Sequence, residues 1–201
     1  MKLDPFYLIV DSAAWIERLV PLGVRLVQLR IKNMDEDGLR AEIRKAKALS
    51  ARHDCQLIVN DHWRLAIEER CDFVHLGQED LRTANLPEIQ AAGIRLGLST
   101  HDHDELEMAM AASPDYVALG PVYPTILKKM KWAPQGLERV RAWKDAVAPI
   151  PLVAIGGLNP ERLDGVFEAG ADSAAVVTDI TLNPDPEART GEWIEKTEQW
   201  R

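Results

Sequence analysis

The sequence predicts a single-domain (β/α)8 barrel, and three features of the chain favour this fold. Eight short apolar runs recur along the 201 residues, and each is followed by a charged stretch with helical spacing. The runs are rich in valine, isoleucine and leucine and mostly lack polar alternation, which is typical of parallel strands covered on both faces. About eight strands alternating with eight helices indicate a barrel, with an open doubly wound sheet as the alternative. The predicted strands are residues 6–10, 26–30, 57–60, 73–77, 95–99, 116–120, 151–157 and 173–177.

The segments between the apolar runs are amphipathic. Within residues 12–22, Ala13, Ile16 and Leu19 recur at the spacing that places them on one face of a helix. At 201 residues the chain is short for this fold, so most loops must be short. The longest irregular stretch, residues 121–136 after the sixth strand, is therefore a candidate functional loop. The same periodicity predicts further helices over residues 35–52, 102–112, 160–169 and 186–199.

Composition limits the classes of partner. There are 24 lysines and arginines against 32 aspartates and glutamates, a formal net charge of −8, which argues against a nucleic-acid-binding protein. No run approaches the roughly 18 apolar residues of a membrane span, and the first residues lack a signal-peptide layout. Cys55 and Cys71 fit no metal motif and are too few for a disulfide framework. We therefore expect a reduced, cytoplasmic protein that acts on small molecules and has no membrane partner, with homo-oligomerisation left open.

Polar side chains gather where the predicted strands end. In one barrel domain spanning residues 1–201, the carboxyl ends of the strands form the active-site face. Gln28, Arg30 and Lys32 alternate along the second strand, so they point to one side, toward the barrel interior or its mouth. Two cations inside a barrel need anionic partners. They either pair with acidic residues of neighbouring strands or clamp a phosphate or diphosphate.

Two aspartates follow adjacent strands. Asp61 ends the third strand and Asp80 follows the fourth, so closure of a barrel would bring their carboxylates together. Two carboxylates with waters and a diphosphate form a typical Mg²⁺ site. The alternative is that each aspartate caps the N-terminus of a helix. Asn60, next to Asp61, can orient a neutral polar group of a ligand.

Three other features of this face have a functional and a structural interpretation. Gly156 and Gly157 follow the seventh strand, where many barrels bind phosphate, although a simple turn would also use the pair. Lys128, in the long loop, can close over a polyphosphate or lie on a solvated face. His101 is the histidine best placed for chemistry.

These motifs resemble the thiamine-phosphate synthase family and occur in the family's order from the second strand to the eighth. The matching strings are QLRIK (28–32), IVND (58–61), HLGQED (75–80), GLSTH (97–101), LGPVYPT (119–125) with Lys128, and AIGGL (154–158). The set covers nearly the whole chain. The resemblance implies a (β/α)8 transferase that requires Mg²⁺. It would join 4-amino-2-methyl-5-hydroxymethylpyrimidine diphosphate to a thiazole phosphate, giving thiamine phosphate and pyrophosphate.

The resemblance also implies roles for individual residues. Asp61 and Asp80 would bind Mg²⁺, and Asn60 would hold the pyrimidine ring. The groups acting on the departing pyrophosphate would be Arg30, Ser99 and Lys128. Contacts with the two substrates would come from Gln28, Leu29, Arg30, Ile31, Lys32, Asn60, Ser99, Thr125, Leu127, Lys128, Gly157, Val177 and Thr178.

The chain departs from the family pattern at two positions. The family usually reads PT-x-T-K, whereas this chain has Leu127 in place of the second threonine, whose hydroxyl contacts phosphate. Thr178 stands where the family usually has serine, and it keeps a hydroxyl. Leu127 predicts weaker binding of the thiazole phosphate or a shifted loop, which backbone amides and the additional Lys129 and Lys131 can offset.

Two alternatives share the same barrel. A related thiazole tautomerase moves a proton on the thiazole and lacks much of the metal and diphosphate set. This chain keeps the aspartate pair, Arg30 and Lys128, which favours the synthase. In a tautomerase, His101 would be the acid–base group. The other alternative is a non-catalytic barrel that binds a phosphate ligand, with Leu127 as the first sign of lost activity.

Overall fold

The structure of the protein, a computed structural model, describes residues 2–125 and 132–201. Eight parallel strands close into a barrel in sequence order, each pairing with the next and the last returning to the first. The predicted fold is therefore confirmed. The strand bounds lie within two residues of the predicted runs: β1 Phe6–Val10, β2 Leu26–Leu29, β3 Gln56–Asn60, β4 Phe73–Leu76, β5 Arg95–Thr100, β6 Tyr116–Leu119, β7 Leu152–Ile155 and β8 Ser173–Val176.

Helices connect the strands on the outside of the barrel. The predicted helix over residues 12–22 ends early, because Pro21 lies in a 3₁₀ turn that follows α1. The predicted helix over residues 160–169 likewise begins as a 3₁₀ turn at Pro160–Arg162. The helices within the described residues are α1 Ala13–Leu19, α2 Glu36–Ala51, α3 Trp63–Glu68, α4 Gln78–Thr83, α5 Leu86–Ala91, α6 His103–Ala111, α7 Gly136–Val147, α8 Leu163–Glu168, α9 Thr178–Thr181 and α10 Pro186–Thr197.

The larger part of the core lies between the sheet and the helices. Two tryptophans there, Trp143 of α7 and Trp193 of α10, are fully buried. Trp143 donates its indole N–H to Thr100 Oγ1 (2.9 Å), and Trp193 donates to Asp179 Oδ2 (2.7 Å). These bonds satisfy the indole nitrogens where water cannot reach them, so both helices are held in one orientation on the barrel.

The barrel interior has an apolar floor and a polar layer nearer the carboxyl ends of the strands. Leu3, Leu26, Ile58, Phe73 and Val153 belong to the apolar cluster inside the barrel. The next inward-facing residue on three of those strands is polar. These residues are Gln28, Asn60 and His75, all buried.

Two tyrosines complete the polar layer. Tyr7 Oη accepts from Gln28 Nε2 (2.7 Å) and lies 2.9 Å from Tyr116 Oη. Tyr116 Oη lies 2.7 Å from His75 Nδ1. The polar tips of the buried tyrosines therefore bond to one another and to neighbours inside the barrel, as buried polar groups must.

Gly97 of β5 makes room for the Tyr116 ring. The two residues are register partners, and a Cβ at position 97 would lie 2.2 Å from two ring carbons of Tyr116. No side chain fits in that space unless the ring moves. The glycine is therefore a packing requirement of the polar layer.

The His75 imidazole is neutral inside the barrel. Its pKa is lowered to about 4, chiefly by burial; the Asp61 carboxylate opposes the shift, and the nearby charge of Arg30 adds to it. Charging this ring would place a cation where little solvent can reach it. The barrel therefore keeps a neutral imidazole at neutral pH.

Two further features concern the state of the cysteines and the length of the helices. Cys55 and Cys71 are buried and free, and burial raises their pKa values to about 12 and about 11, so both remain thiols at neutral pH. Among the described residues, no helix is long and apolar enough to cross a membrane.

Gly97→Ala is expected to lower the free energy of unfolding by about 1–3 kcal/mol, because the added methyl forces the Tyr116 ring out of its place. Urea denaturation monitored by circular dichroism would measure the change. Gly191→Ala in α10 is the matched control, since no atom lies within 4 Å of the added carbon. That change should be neutral or stabilising by up to about 1 kcal/mol. Equal effects of the two substitutions would contradict the packing role.

The depressed pKa of His75 predicts a loss of stability in acid. The unfolded imidazole titrates near 6.5 and the folded one near 4. Between these values the unfolded state binds the additional proton. Stability should therefore fall as the pH drops from about 6.5 toward 4, by up to about 3 kcal/mol. Urea denaturation of the wild type and His75→Gln between pH 4 and pH 8 would test this, and parallel profiles would refute it.

Candidate active site at the carboxyl ends of the strands

The residues that end β2 point alternately to the two sides of the sheet. Gln28 lies inside the barrel, 2% exposed, and Lys32 reaches the mouth, where its ammonium pairs with Asp61. Leu29 and Ile31 point outward into the core between sheet and helices. Their side chains belong to that core, so a contact of Leu29 or Ile31 with substrate would come from the backbone.

Arg30 extends β2 beyond its last paired residue. Its backbone N–H donates to the carbonyl of Val10 (2.8 Å), which continues the ladder with β1. Its guanidinium lies near enough to His75 for its charge to lower the pKa of that imidazole. Arg30 and Lys32 thus bring two cations to the same side of the barrel mouth, as predicted from their alternation.

Asp61 and Asp80 lie close enough at the mouth for each carboxyl to shift the pKa of the other. Asp61 has a φ of 63°, in the left-handed region that most side chains avoid and that aspartate and asparagine tolerate better. Its backbone N–H donates to the carbonyl of His75 (2.9 Å), which ties the end of β3 to β4. The predicted convergence of the two carboxylates is therefore observed in the structure.

The two carboxyls differ in acidity. Burial raises the pKa of Asp61, but the hydrogen bond and charge of Lys32 outweigh it, so the pKa of Asp61 lies below its ordinary value. Burial also raises the pKa of Asp80, and there the charge of Asp61 adds to the rise. Lys32 thus balances one of two facing negative charges, and a further cation would be stabilised between them.

The chemistry of this donor set suits a hard divalent cation. Two facing carboxylates supply oxygen ligands, which is the donor type that Mg²⁺ and Ca²⁺ prefer. Within residues 2–125 and 132–201, no group of three or more histidine, cysteine or acidic residues is arranged to hold a metal. A cation bound by this pair would need further ligands from water or from a substrate.

Two polar groups lie beside the aspartate pair. Asn60 is 4% exposed, and its Nδ2 has no hydrogen-bond partner among the described residues. An unpaired buried donor costs about 1–3 kcal/mol, which an acceptor atom of a ligand would recover. Ser99 Oγ lies 2.8 Å from His75 Nε2, and Gln78 Nε2 donates to the Ser99 carbonyl (2.6 Å). The sequence reasoning missed Gln78 as a support of Ser99.

The glycine pair after β7 has a structural explanation. Gly156 and Gly157 have φ values of 98° and 66°, and a Cβ at Gly157 would lie 2.3 Å from the Pro124 carbonyl oxygen. The Tyr123 N–H also donates to the Gly156 carbonyl (3.0 Å). The pair therefore seats the segment that leads to Thr125, the last described residue before the gap.

The end of β8 turns directly into a short helix. Val177 precedes α9, and its carbonyl accepts from the N–H groups of Ile180 (3.2 Å) and Thr181 (2.9 Å). Thr178 is the first residue of α9. The turn places Val177 and Thr178 at the same edge of the barrel as Gly157.

The long loop is described only at its two ends. Leu127, Lys128, Lys129 and Lys131 lie outside the described residues. Beyond the gap, Trp132 stacks on the His101 ring, with centroids 4.1 Å apart.

His101 and its neighbours hold the end of this loop. His101 Nδ1 lies 2.6 Å from Glu105 Oε2, and Gln135 donates to the His101 carbonyl (2.8 Å). The His101 ring thus stacks on Trp132 while its backbone carbonyl binds Gln135, so His101 contacts both residues at the end of the loop.

The chain matches known proteins along its whole length. The family model described as Thiamine monophosphate synthase matches residues 6–180. A thiamine-phosphate synthase of Rhizobium etli is 69% identical over 201 residues, covering 100% of this chain and 98% of that protein. One from Salmonella newport is 50% identical over 189 residues, covering 94% and 90%. The solved thiamine phosphate pyrophosphorylase from Pyrococcus furiosus has a TM-score of 0.87 at 26% identity, covering 98% and 96%.

The matched region begins at the first residue of β1 and ends within α9. It therefore contains every strand of the barrel and the whole set of polar residues at its mouth. The chain belongs to the thiamine monophosphate synthase family.

Proposed function

We propose that this chain couples 4-amino-2-methyl-5-hydroxymethylpyrimidine diphosphate with thiazole phosphate to give thiamine phosphate and pyrophosphate. The names of the relatives that match 94% or more of the chain support this transferase activity. The observation that carries the proposal is the pairing of Lys32 with the Asp61–Asp80 carboxylates beside Arg30. That arrangement suits a polyanion bound together with a divalent cation.

The reaction needs charge stabilisation more than a protein nucleophile. The bond between the pyrimidine methylene carbon and the diphosphate oxygen breaks, and the electron-rich aminopyrimidine stabilises the resulting cation. The thiazole nitrogen then supplies the electron pair for the new carbon–nitrogen bond. The chain therefore has to position the two substrates and neutralise the leaving group.

Asp61 and Asp80 would hold Mg²⁺ through their facing oxygens. Bound Mg²⁺ would supply positive charge to the departing diphosphate. Lys32, which pairs with Asp61, would keep that carboxylate ionised, because its charge lowers the pKa of Asp61 against the effect of burial. Because this pair supplies only two carboxylates, the cation would also take oxygen ligands from the substrate phosphates.

The other expected contacts divide between the two substrates. Asn60 Nδ2 would donate to a ring nitrogen of the pyrimidine, which would satisfy its unpaired N–H. Gln28, Arg30 and Lys32 would hold the pyrimidine diphosphate. The departing pyrophosphate would be contacted by Arg30, Ser99 and Lys128. The thiazole phosphate would be contacted by Thr125, Leu127, Gly157, Val177 and Thr178.

The two cysteines bear on the cellular compartment in which the enzyme would work. Two free thiols with raised pKa values support a reducing, cytoplasmic location. Small-molecule substrates are the proposed partners.

Asp61→Asn is expected to lower the rate of thiamine phosphate formation on the order of 100-fold, because it removes charge that holds the cation at the leaving group. Pyrophosphate and thiamine phosphate would be measured together with both substrates and Mg²⁺, with and without a chelator. Asp145→Asn, at an exposed site on α7, is the matched control and should keep wild-type rates.

Three results would contradict the proposed function: no product from the wild type, product that survives chelation, or wild-type rates in the Asp61 variant. Exchange of a thiazole proton without product would indicate the tautomerase instead.

Leu127→Thr is expected to lower the KM for thiazole phosphate, because it restores a hydroxyl that can donate to the phosphate. Steady-state kinetics with the pyrimidine substrate saturating would measure this. Leu127→Val has nearly the shape of threonine without its hydroxyl, so it separates polarity from size. Unchanged Michaelis constants in Leu127→Thr, or equal gains in both variants, would contradict the expectation.

A further inference from the structure

A continuous chain of hydrogen bonds crosses the barrel from Gln28 to Ser99. The heavy-atom distances are 2.7 Å from Gln28 to Tyr7, 2.9 Å from Tyr7 to Tyr116, 2.7 Å from Tyr116 to His75, and 2.8 Å from His75 to Ser99. All four bonds lie within normal hydrogen-bond range. The chain thus links the polar layer inside the barrel to a hydroxyl at the mouth.

The first bond fixes the direction of all the others. Gln28 Nε2 carries only donor hydrogens, so Tyr7 Oη must accept from it. The single Tyr7 proton is then free for Tyr116, and the Tyr116 proton goes to His75 Nδ1. A neutral imidazole that accepts at Nδ1 carries its proton on Nε2. His75 therefore donates to Ser99 Oγ, and the Ser99 proton remains free.

Because these groups are buried, water cannot bind to them and reverse the direction of the hydrogen bonds. Tyr7, Tyr116 and Gln28 are each no more than 2% exposed. Burial raises the pKa of both tyrosines. The two rings meet edge to face, and Tyr116 stacks on the His75 ring with centroids 5.5 Å apart. Neither phenol can turn away from its partner without displacing packed rings.

The opposite direction would have the opposite effect at the mouth. If the Gln28 amide oxygen faced Tyr7, each hydrogen bond of the chain would run the other way. Tyr7 would donate to Gln28, and at the other end Ser99 would donate its proton to His75. Its lone pairs would then face any anion in the mouth and repel it. The orientation of one buried amide thus decides whether Ser99 attracts or repels an anion.

We propose that Gln28, Tyr7, Tyr116 and His75 form a one-way relay that presents the Ser99 hydroxyl as a hydrogen-bond donor to the departing pyrophosphate. Tyr7, Tyr116 and His75 are then positioning residues for the leaving group. This assignment deepens the proposed function and rests on it for the identity of the anion. The direction of the relay is a property of the protein alone.

The direction can be measured without substrate. In protein labelled with ¹⁵N-histidine, two-bond ¹H–¹⁵N correlation spectra distinguish the two neutral tautomers of His75. We expect the proton on Nε2 in the wild type and in Tyr123→Phe, which changes the one tyrosine outside the relay. We expect a mixture of tautomers in Tyr7→Phe, which removes the proton that points at Tyr116. A proton on Nδ1 in the wild type, or an unchanged tautomer in Tyr7→Phe, would overturn the proposal.

A double-mutant cycle tests the effect on the leaving group. Tyr7→Phe is expected to lower kcat roughly tenfold with little change in KM, because Ser99 loses its fixed direction. In a Ser99→Ala background the same change should have almost no further effect. A merely structural role would lower the rate by the same factor in both backgrounds, and that result would overturn the relay. Circular dichroism would confirm that each variant is folded.

A binding experiment distinguishes failure of the relay from failure of the proposed function. Calorimetric titration with pyrophosphate and Mg²⁺ measures binding whether or not the wild type turns over. Loss of affinity in Ser99→Ala that Tyr7→Phe does not deepen would support the relay even in a protein that makes no thiamine phosphate. Turnover by the wild type with fully additive losses in the two variants would keep the function and reject the relay.

Discussion

Closure of the barrel is the constraint on which the rest of the structure depends. Eight strands that pair in a ring turn every second side chain into a space that water cannot enter. Each polar group placed there must form a hydrogen bond with another residue or with a bound ligand. The layer of Gln28, Tyr7, Tyr116 and His75 satisfies its members internally, whereas Asn60 keeps an unpaired donor at the mouth. That difference separates the supporting framework from the binding surface.

The strands and the mouth residues were predictable because they depend on local signals. Apolar runs without alternation indicated covered parallel strands, and residues that end such strands must meet at one face in a barrel. The convergence of Asp61 and Asp80 followed from that rule alone. The side on which each β2 residue points also followed from alternation, which placed Leu29 and Ile31 in the outer core.

The relay could not be predicted, because its members are far apart in the chain and none has a local pattern. Tyr7 and Tyr116 lie 109 positions apart, and each reads as an ordinary strand aromatic. Gly97 was the one available clue, since a glycine inside a strand often marks the close approach of another group. Which ring fills the space depends on strand register, which the sequence does not display. The same limit applies to His101, whose role depends on a stacking partner 31 positions away.

The left-handed backbone of Asp61 narrows what evolution can place at that position. The conformation favours glycine, asparagine and aspartate, while a role as cation ligand requires a carboxylate. Glutamate keeps the charge but suits the backbone less well, and asparagine or glycine suits the backbone but lacks the charge. Asparagine and glycine codons each differ from an aspartate codon by one nucleotide. Lineages that lose the activity should therefore often carry asparagine or glycine here, in a barrel that still folds.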